Sequence, residues 1–184
     1  WEKKNIKGTE LSKKTLGIVG FGNVGVRLSN LVKGFDMKIL VNSKSLESRK
    51  SEYPHVENSS FDELIAKSDI LSFHCKAAAD GKPMLTKEHM KKMKPTSYII
   101  NAARGNIVDE NDLNDALNEG LIAGAAVDVF SKEPAKENIL FNNSKAVLTP
   151  HIAASTTEAS IVVAEMVANQ ISDFLLNGVK KNTV

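Results

Sequence analysis

Cysteine is almost missing from this sequence: Cys75 is the one thiol among 184 residues. A single cysteine closes no internal disulfide, so a secreted, disulfide-stapled fold is excluded and a reducing compartment, the cytoplasm, is expected. Charge of neither sign dominates, with 24 Lys and Arg against 22 Asp and Glu and a net of +2. Nucleic-acid binders carry a concentrated basic footprint, and so thin a margin points away from one. No apolar run approaches the ~18 residues of a membrane helix, so no membrane partner is expected. The start, Trp1 to Lys7, is polar and mixed in charge, unlike a signal peptide. Internal repeats and low-complexity blocks are missing too.

What is present is an ordinary globular mixture, 42% apolar and 25% charged. A chain of this length can bury on the order of 70% of its unfolded surface. Short apolar runs alternate with longer amphipathic stretches. The runs at 15–20, 37–41, 70–73, 97–100, 123–127 and 146–148 have the length and composition of buried strands. Helical spacing joins Val24, Leu28, Leu31 and Val32, and further helices are predicted at 61–67 behind Ser60 and at 86–93 before Pro95. The best-marked helix is 109–120, where Asp109 suits the N-cap and Gly120 the left-handed position past the end. The tail 156–177, ended by Gly178, is apolar at Ile161, Val162, Ala164, Met166, Val167, Ile171, Phe174 and Leu175. This alternation predicts an α/β class: a doubly wound parallel sheet with helices on both faces.

Gly20-Phe21-Gly22-Asn23-Val24-Gly25 fits G-x-G-x-x-G between a strand run and a helical stretch. Gly20 permits the tight turn, Gly22 lets the backbone approach a pyrophosphate, and Gly25 lets helix and strand pack closely. The amides of Asn23 and Val24 then face the anion from the positive end of the helix. A glycine-rich turn without a ligand is the bland alternative, and the strand–turn–helix setting favours the nucleotide. In such Rossmann-type folds an acid about 20 positions on holds the adenosine ribose. Here the second strand runs into Asn42-Ser43-Lys44-Ser45, with no carboxylate. Ser43 is a neutral hydrogen-bonder and Lys44 a cation that favours a 2′-phosphate, so NADP stands beside NAD. A solvated Lys44, with Ser43 alone on the ribose, is equally open.

Three segments in the second half look chemical. Arg104 lies just past the run that ends at Ile100, at the strand edge where open α/β sheets bind ligands. Its forked guanidinium suits an anionic group, although a surface pairing would also occupy it. Asp128 and Glu133 follow another strand, and His151 follows the last. Of the other histidines, His55 sits beside Pro54 in a turn and His89 in a Lys-rich, solvated helix. His74 ends a strand next to Cys75, where a structural role competes with cofactor contact. An imidazole at His151, held by a carboxylate, exchanges a proton near neutral pH while an arginine clamps a carboxylate. Spacing alone leaves open whether these groups meet.

Together these residues resemble the cofactor-binding domain of the D-isomer-specific 2-hydroxyacid dehydrogenases, from about Trp1 to Val184. The segments that carry the resemblance are 10–25, 68–74, 93–95 with 101–109, 124–134 and 148–152, in that order. It implies an NAD(P)-dependent oxidoreductase acting on a small 2-hydroxyacid or 2-keto acid. Arg104 would bind the substrate carboxylate and help polarise the keto group. His151 would be the general acid/base, with Glu133 fixing its ring and raising its basicity. Asp128 would hydrogen-bond the nicotinamide carboxamide. Cofactor contacts are expected from Gly20, Gly22, Asn23, Val24, Gly25, Ser43, Lys44, His74, Cys75, Lys76, Ala102, Ala103, Arg104, Asp128, His151 and Ala153, and no metal is expected.

Within the family, 79–84 and 101–105 look most like D-3-phosphoglycerate dehydrogenases, which implies 3-phosphohydroxypyruvate as product and a place in serine biosynthesis. A glyoxylate/hydroxypyruvate reductase, or a nucleotide-sensing, corepressor-like interaction protein, is the alternative. Two positions depart from the family pattern: Ser43 replaces the usual acid, and Lys76 replaces a proline two residues past His74. Family members carry a substrate-side domain that precedes this segment and receives its final residues. The chain, 1–184, is therefore expected to be a dinucleotide-binding domain alone, with 182–184 resembling the crossing back. Such a piece would bind dinucleotide and turn over slowly or not at all. The parent is expected to be a homodimer or higher oligomer, with Trp1 and the helix after Gly25 as contact material.

Overall fold

Each of the six apolar runs becomes a strand. The computed structural model describes residues 8–182, so Trp1 and the last two residues lie outside what is described. The strands are β1 (Thr15–Val19), β2 (Lys38–Asn42), β3 (Glu57–Asn58), β4 (Ile70–Phe73), β5 (Tyr98–Asn101), β6 (Gly124–Val127) and β7 (Ala146–Leu148). All pair in parallel, in the order β3-β2-β1-β4-β5-β6-β7. The chain order reverses between β1 and β4, the point at which such sheets open a crevice outside their carboxyl ends. There Val19 lies beside Asn42 on one side and Phe73 on the other. The sequence pattern passed over β3, because its two polar residues carry no apolar alternation and join the sheet only through β2.

Side chains alternate across the pleat, and the two faces collect separate cores. Leu16, Ile18, Ile39 and Val41 share one face, packed with Phe21 and Leu28. Val19, Leu40, Leu71, Phe73, Ile99 and Val127 share the other, packed with Leu64, Leu113 and Leu117. Along β5 the first face carries Tyr98 and Ile100, 52% and 37% exposed, and in register beyond them lies Val147, 68% exposed.

Helix α1 (Asn23–Leu31) turns Gly25 and Ser29 inward. Val24 and Leu31, which share its helical spacing, are 63% and 69% exposed. Gly25 dictates that rotation, because it is the residue whose missing Cβ allows the close approach to the sheet. A single turn, α2 (Lys44–Glu47), follows β2. In α3 (Phe61–Lys67) the Ser60 hydroxyl accepts from the Glu63 amide at 3.3 Å. Helix α4 is only Lys87–Met90, shorter than its periodicity suggests. His89 is not solvated there: its Nδ1 accepts from the Thr86 amide at 3.2 Å and its ring packs edge-on against Phe61. In α5 (Glu110–Glu119) the Asp109 carboxylate accepts from the Asn111 and Asp112 amides at 3.0 and 2.9 Å, and Gly120 has φ 73°.

The chain divides into two compact units, Trp1–Pro150 and His151–Val184. The sheet and α1 to α5 belong to the first. The second is built on α6 (Thr157–Asn177), capped by the Thr156 hydroxyl, which accepts from the Ala159 amide at 3.0 Å. No residue of α6 is buried. By length and composition alone α6 could cross a membrane, which corrects the expectation that no segment could. Glu165 and Asp173 interrupt its apolar runs without lowering the average enough, and core helices of soluble proteins meet the same standard.

Candidate functional site

The glycine turn after β1 needs each of its glycines for a different reason. Gly20 has φ 91°, and a Cβ there would lie 2.5 Å from the His74 carbonyl oxygen and 2.9 Å from the Cys75 Cβ. A Cβ on Gly25 would lie 2.4 Å from the Gly20 carbonyl oxygen. At Gly22 the space is open, with nothing within 4 Å of that position. Gly22 is also the N-cap of α1; no side chain caps that end and no acid sits in the first turn. Helix ends of this kind carry about half a positive charge and leave their first amides unbonded within the helix. The amides of Asn23, Val24 and Gly25 beside an open, Cβ-free position fit a pyrophosphate.

The ends of β2 and β4 flank this turn. The Gly20 amide donates to the Asn42 carbonyl at 3.0 Å, and the His74 amide to the Val19 carbonyl at 2.8 Å. Half-buried Ser43 holds its hydroxyl 3.0 Å from that of Ser45, and Lys44 is exposed. His74 is half-buried with Nε2 2.9 Å from the Ser72 hydroxyl, and burial lowers its pKa, favouring the neutral ring. Burial likewise pushes the Cys75 thiol up, away from the reactive thiolate. Lys76 is exposed. The structure thus brings Gly20, Ser43, His74 and Cys75 to one stretch of rim.

Arg104 stands farther along the same rim. Its loop is held by Asn101, the last residue of β5, which is 1% exposed. Asn101 Oδ1 accepts from the Ala103 amide at 3.2 Å, and Nδ2 donates to the Arg104 carbonyl at 3.0 Å. Ala102 and Arg104 are exposed and Ala103 is half-buried. One guanidinium nitrogen, Nη1, donates to the Ala103 carbonyl at 2.6 Å. The next residue, Gly105, lies so close to the Phe130 backbone that a Cβ would overlap it at 1.9 Å. That contact sets the Arg104 loop against the residues that follow β6.

There Asp128 is buried, and its Oδ1 accepts from the Thr149 hydroxyl at 2.5 Å. The Glu133 carboxylate accepts from the Phe130 amide at 2.9 Å and closes its own turn. Glu110, at the start of α5, accepts from the Ser131 amide and hydroxyl at 2.6 and 2.9 Å and from Asn138 Nδ2 at 2.8 Å. Asn101, Thr149 and Glu110 were not singled out in the sequence. A polar residue closing an apolar strand could have flagged Asn101. Glu110 reads merely as an acid that suits a helix start.

His151 and Ala153, both exposed, open the second unit. His151 has φ 55°, in the left-handed region, which costs a non-glycine residue about 1–2 kcal/mol. Strain of this kind clusters at functional positions.

Residues 1–153 match the family described as D-isomer specific 2-hydroxyacid dehydrogenase, NAD binding domain. The chain belongs to that family. The D-3-phosphoglycerate dehydrogenase of Synechocystis sp. is 39% identical over 176 residues, which are 96% of this chain and 32% of that protein. The glyoxylate reductase of Pyrococcus furiosus is 40% identical over 174 residues, 95% of this chain and 52% of that one. The structure of a glyoxylate reductase from Paecilomyes thermophila superposes with a TM-score of 0.86 at 32% identity, covering 97% of this chain and 54% of that chain. The chain therefore spans about a third to a half of the length of these 2-hydroxyacid dehydrogenase relatives. The matched domain binds NAD, and the open, uncapped helix end at Gly22 fits the pyrophosphate of such a cofactor.

Proposed function

We propose that the whole protein transfers hydride between NAD and a D-2-hydroxyacid or its 2-keto acid, with this chain supplying the dinucleotide side. The observation that carries this reading is an open amide cradle at Gly22 and an exposed Arg104 guanidinium on the carboxyl rim of one parallel sheet. Bound NAD supplies the hydride chemistry. Arg104 takes the substrate carboxylate in its planar fork and draws charge from the neighbouring keto oxygen. Asp128, steadied by Thr149, accepts from the nicotinamide carboxamide. His151 removes the hydroxyl proton in oxidation and returns it in reduction.

The proposed substrate is D-3-phosphoglycerate, in line with the 39% identity to the Synechocystis enzyme. The 40% identity to a glyoxylate reductase supports a second reading, reduction of glyoxylate or hydroxypyruvate. Steady-state assays of the whole protein with both substrates separate them. On the preferred one, Arg104→Gln and His151→Asn each lower kcat/KM by about 10²–10⁴-fold while NADH still binds. Full turnover by His151→Asn would overturn the acid/base assignment.

A further inference from the structure

The loop that carries Arg104 and the segment that follows β6 grip one another. Gly105 lies against the peptide joining Phe130 to Ser131, so close that a Cβ would overlap the Phe130 carbonyl and the Ser131 amide nitrogen. A little further along the chain, Glu110 reaches back to the same peptide, its Oε1 accepting from the Ser131 amide at 2.6 Å. Its Oε2 accepts from the Ser131 hydroxyl at 2.9 Å and from Asn138 Nδ2 at 2.8 Å. Residues 105–110 thus hold the 130–131 peptide between a glycine face and a carboxylate.

This clamp has a firm base, because Glu110 opens α5, whose Leu113, Ala116 and Leu117 are buried. Hydrogen bonds to an ionised carboxylate are also stronger than those between neutral groups. The Arg104 guanidinium bonds the Ala103 carbonyl of its own loop, so its direction follows the loop backbone. Asn101 fixes that backbone on the strand side. On the other side the loop rests on the 130–131 peptide, which Glu110 keeps in place.

We infer that Glu110 is a positioning residue for Arg104: it holds the peptide on which the arginine loop rests and so sets the aim of the guanidinium. The inference rests on the substrate role proposed for Arg104 above. A planar fork meets a carboxylate only at the right angle and distance, so a small tilt of the loop costs substrate binding. Asp128 has supports of its own, its amide donating to the Asn101 carbonyl at 2.9 Å and its carboxylate accepting from the Thr149 hydroxyl. The glycine turn lies on a different loop, after β1. Nucleotide binding is therefore independent of Glu110.

The test is steady-state kinetics of the whole protein with 3-phosphohydroxypyruvate and with glyoxylate, alongside NADH titration by fluorescence. On the acid that is turned over, Glu110→Ala is expected to lower kcat/KM about ten-fold, mostly through KM, because the carboxylate is gripped before hydride transfer as well as during it. NADH affinity is expected to stay within about two-fold. Glu110→Gln keeps the reach and one acceptor oxygen, and is expected to recover to within about three-fold of wild type. Glu110→Asp keeps the charge at the helix start but withdraws it by one methylene, and is expected to be poorer than Glu110→Gln. In an Arg104→Gln background, Glu110→Ala is expected to add less than about two-fold, since the group it aims is gone. An unchanged KM in Glu110→Ala, a full further loss in the Arg104→Gln background, or NADH affinity falling in step with KM would each overturn the inference. So would wild-type kinetics in Glu110→Asp with Glu110→Gln impaired, which would make the residue a helix-end charge and not a grip. Wild-type kinetics in Arg104→Gln alone would overturn the substrate role of Arg104, and the positioning role with it.

Discussion

Asn101 and Arg104 are joined through one side chain, whose Nδ2 donates to the Arg104 carbonyl at 3.0 Å while its Oδ1 receives the Ala103 amide at 3.2 Å. The height of the arginine above the sheet is thus set by a residue that water does not reach. Asn101→Ala removes both bonds and leaves two main-chain groups without their partner. The expected cost is about 1–3 kcal/mol, seen as a lower urea midpoint at unchanged slope. Asn101→Asp keeps the acceptor, loses the donor and buries a charge, so it should cost more. A wild-type midpoint for Asn101→Ala would show that the loop is held by other means.

Two glycines of one turn should respond in opposite ways to the same substitution. Gly20→Ala forces a side chain into φ 91° and against the His74 carbonyl, so the urea midpoint drops sharply. Gly22→Ala enters open space on extended backbone, so stability stays within about 0.5 kcal/mol. Its methyl group nevertheless occupies the approach of a pyrophosphate, and NADH affinity should fall about ten-fold or more. Tight NADH binding by Gly22→Ala would move the anion away from this turn.

Acid should weaken the fold through two histidines before it reaches the carboxylates. Burial lowers the pKa of His74, and burial followed by the charge of Lys33 lowers that of His55, both from 6.5. Each ring stays neutral in the folded chain to a lower pH than in the unfolded one. Below about 6.5 the unfolded chain therefore binds more protons, and stability falls as pH drops until the folded rings are charged too. Urea midpoints from pH 8 to pH 5 should decline, and His74→Gln should flatten part of the slope. A midpoint that rises toward pH 5 would reverse the sign of this argument. Asp69 acts in a lower window: burial raises its pKa, but the Thr15 amide and Lys94 outweigh that and lower it overall.

Glu110 ties the segment after β6 to α5 through Ser131 and Asn138. Glu110→Ala should free that segment to open locally without unfolding the sheet. Limited proteolysis within 131–138 should speed up about ten-fold, the effect of roughly 1.4 kcal/mol of local stability. Equal cleavage rates in variant and wild type would show that Glu133 and the surrounding packing hold the segment alone.

Strand positions were legible because buried parallel strands write themselves as short apolar runs, and 15–19, 70–73 and 146–148 needed no further clue. Helix ends were legible where one residue supplies the cap, as Asp109 and Gly120 do for α5. The helical spacing of Val24 and Leu31 does not say which face turns inward, because in α1 that face is chosen by an absent side chain at Gly25. His89 misled, since a cap and a ring contact with Phe61 depend on a distant segment that no local pattern reveals.

The amino-acid sequence by itself determined the alternating sheet and the glycine turn, because both are written in local spacing and residue type, and the order of its motifs carried the resemblance to the family. Tertiary structure alone decided that Gly20, Ser43 and His74 share one stretch of rim, since strand order and register bring residues 20, 43 and 74 together across a reversal the linear pattern does not show. It also decided that Asn101 and Glu110 hold the loops of Arg104 and Ser131. Hydrogen bonds between segments form only after the sheet has set the distances, so no property of either residue alone announces them.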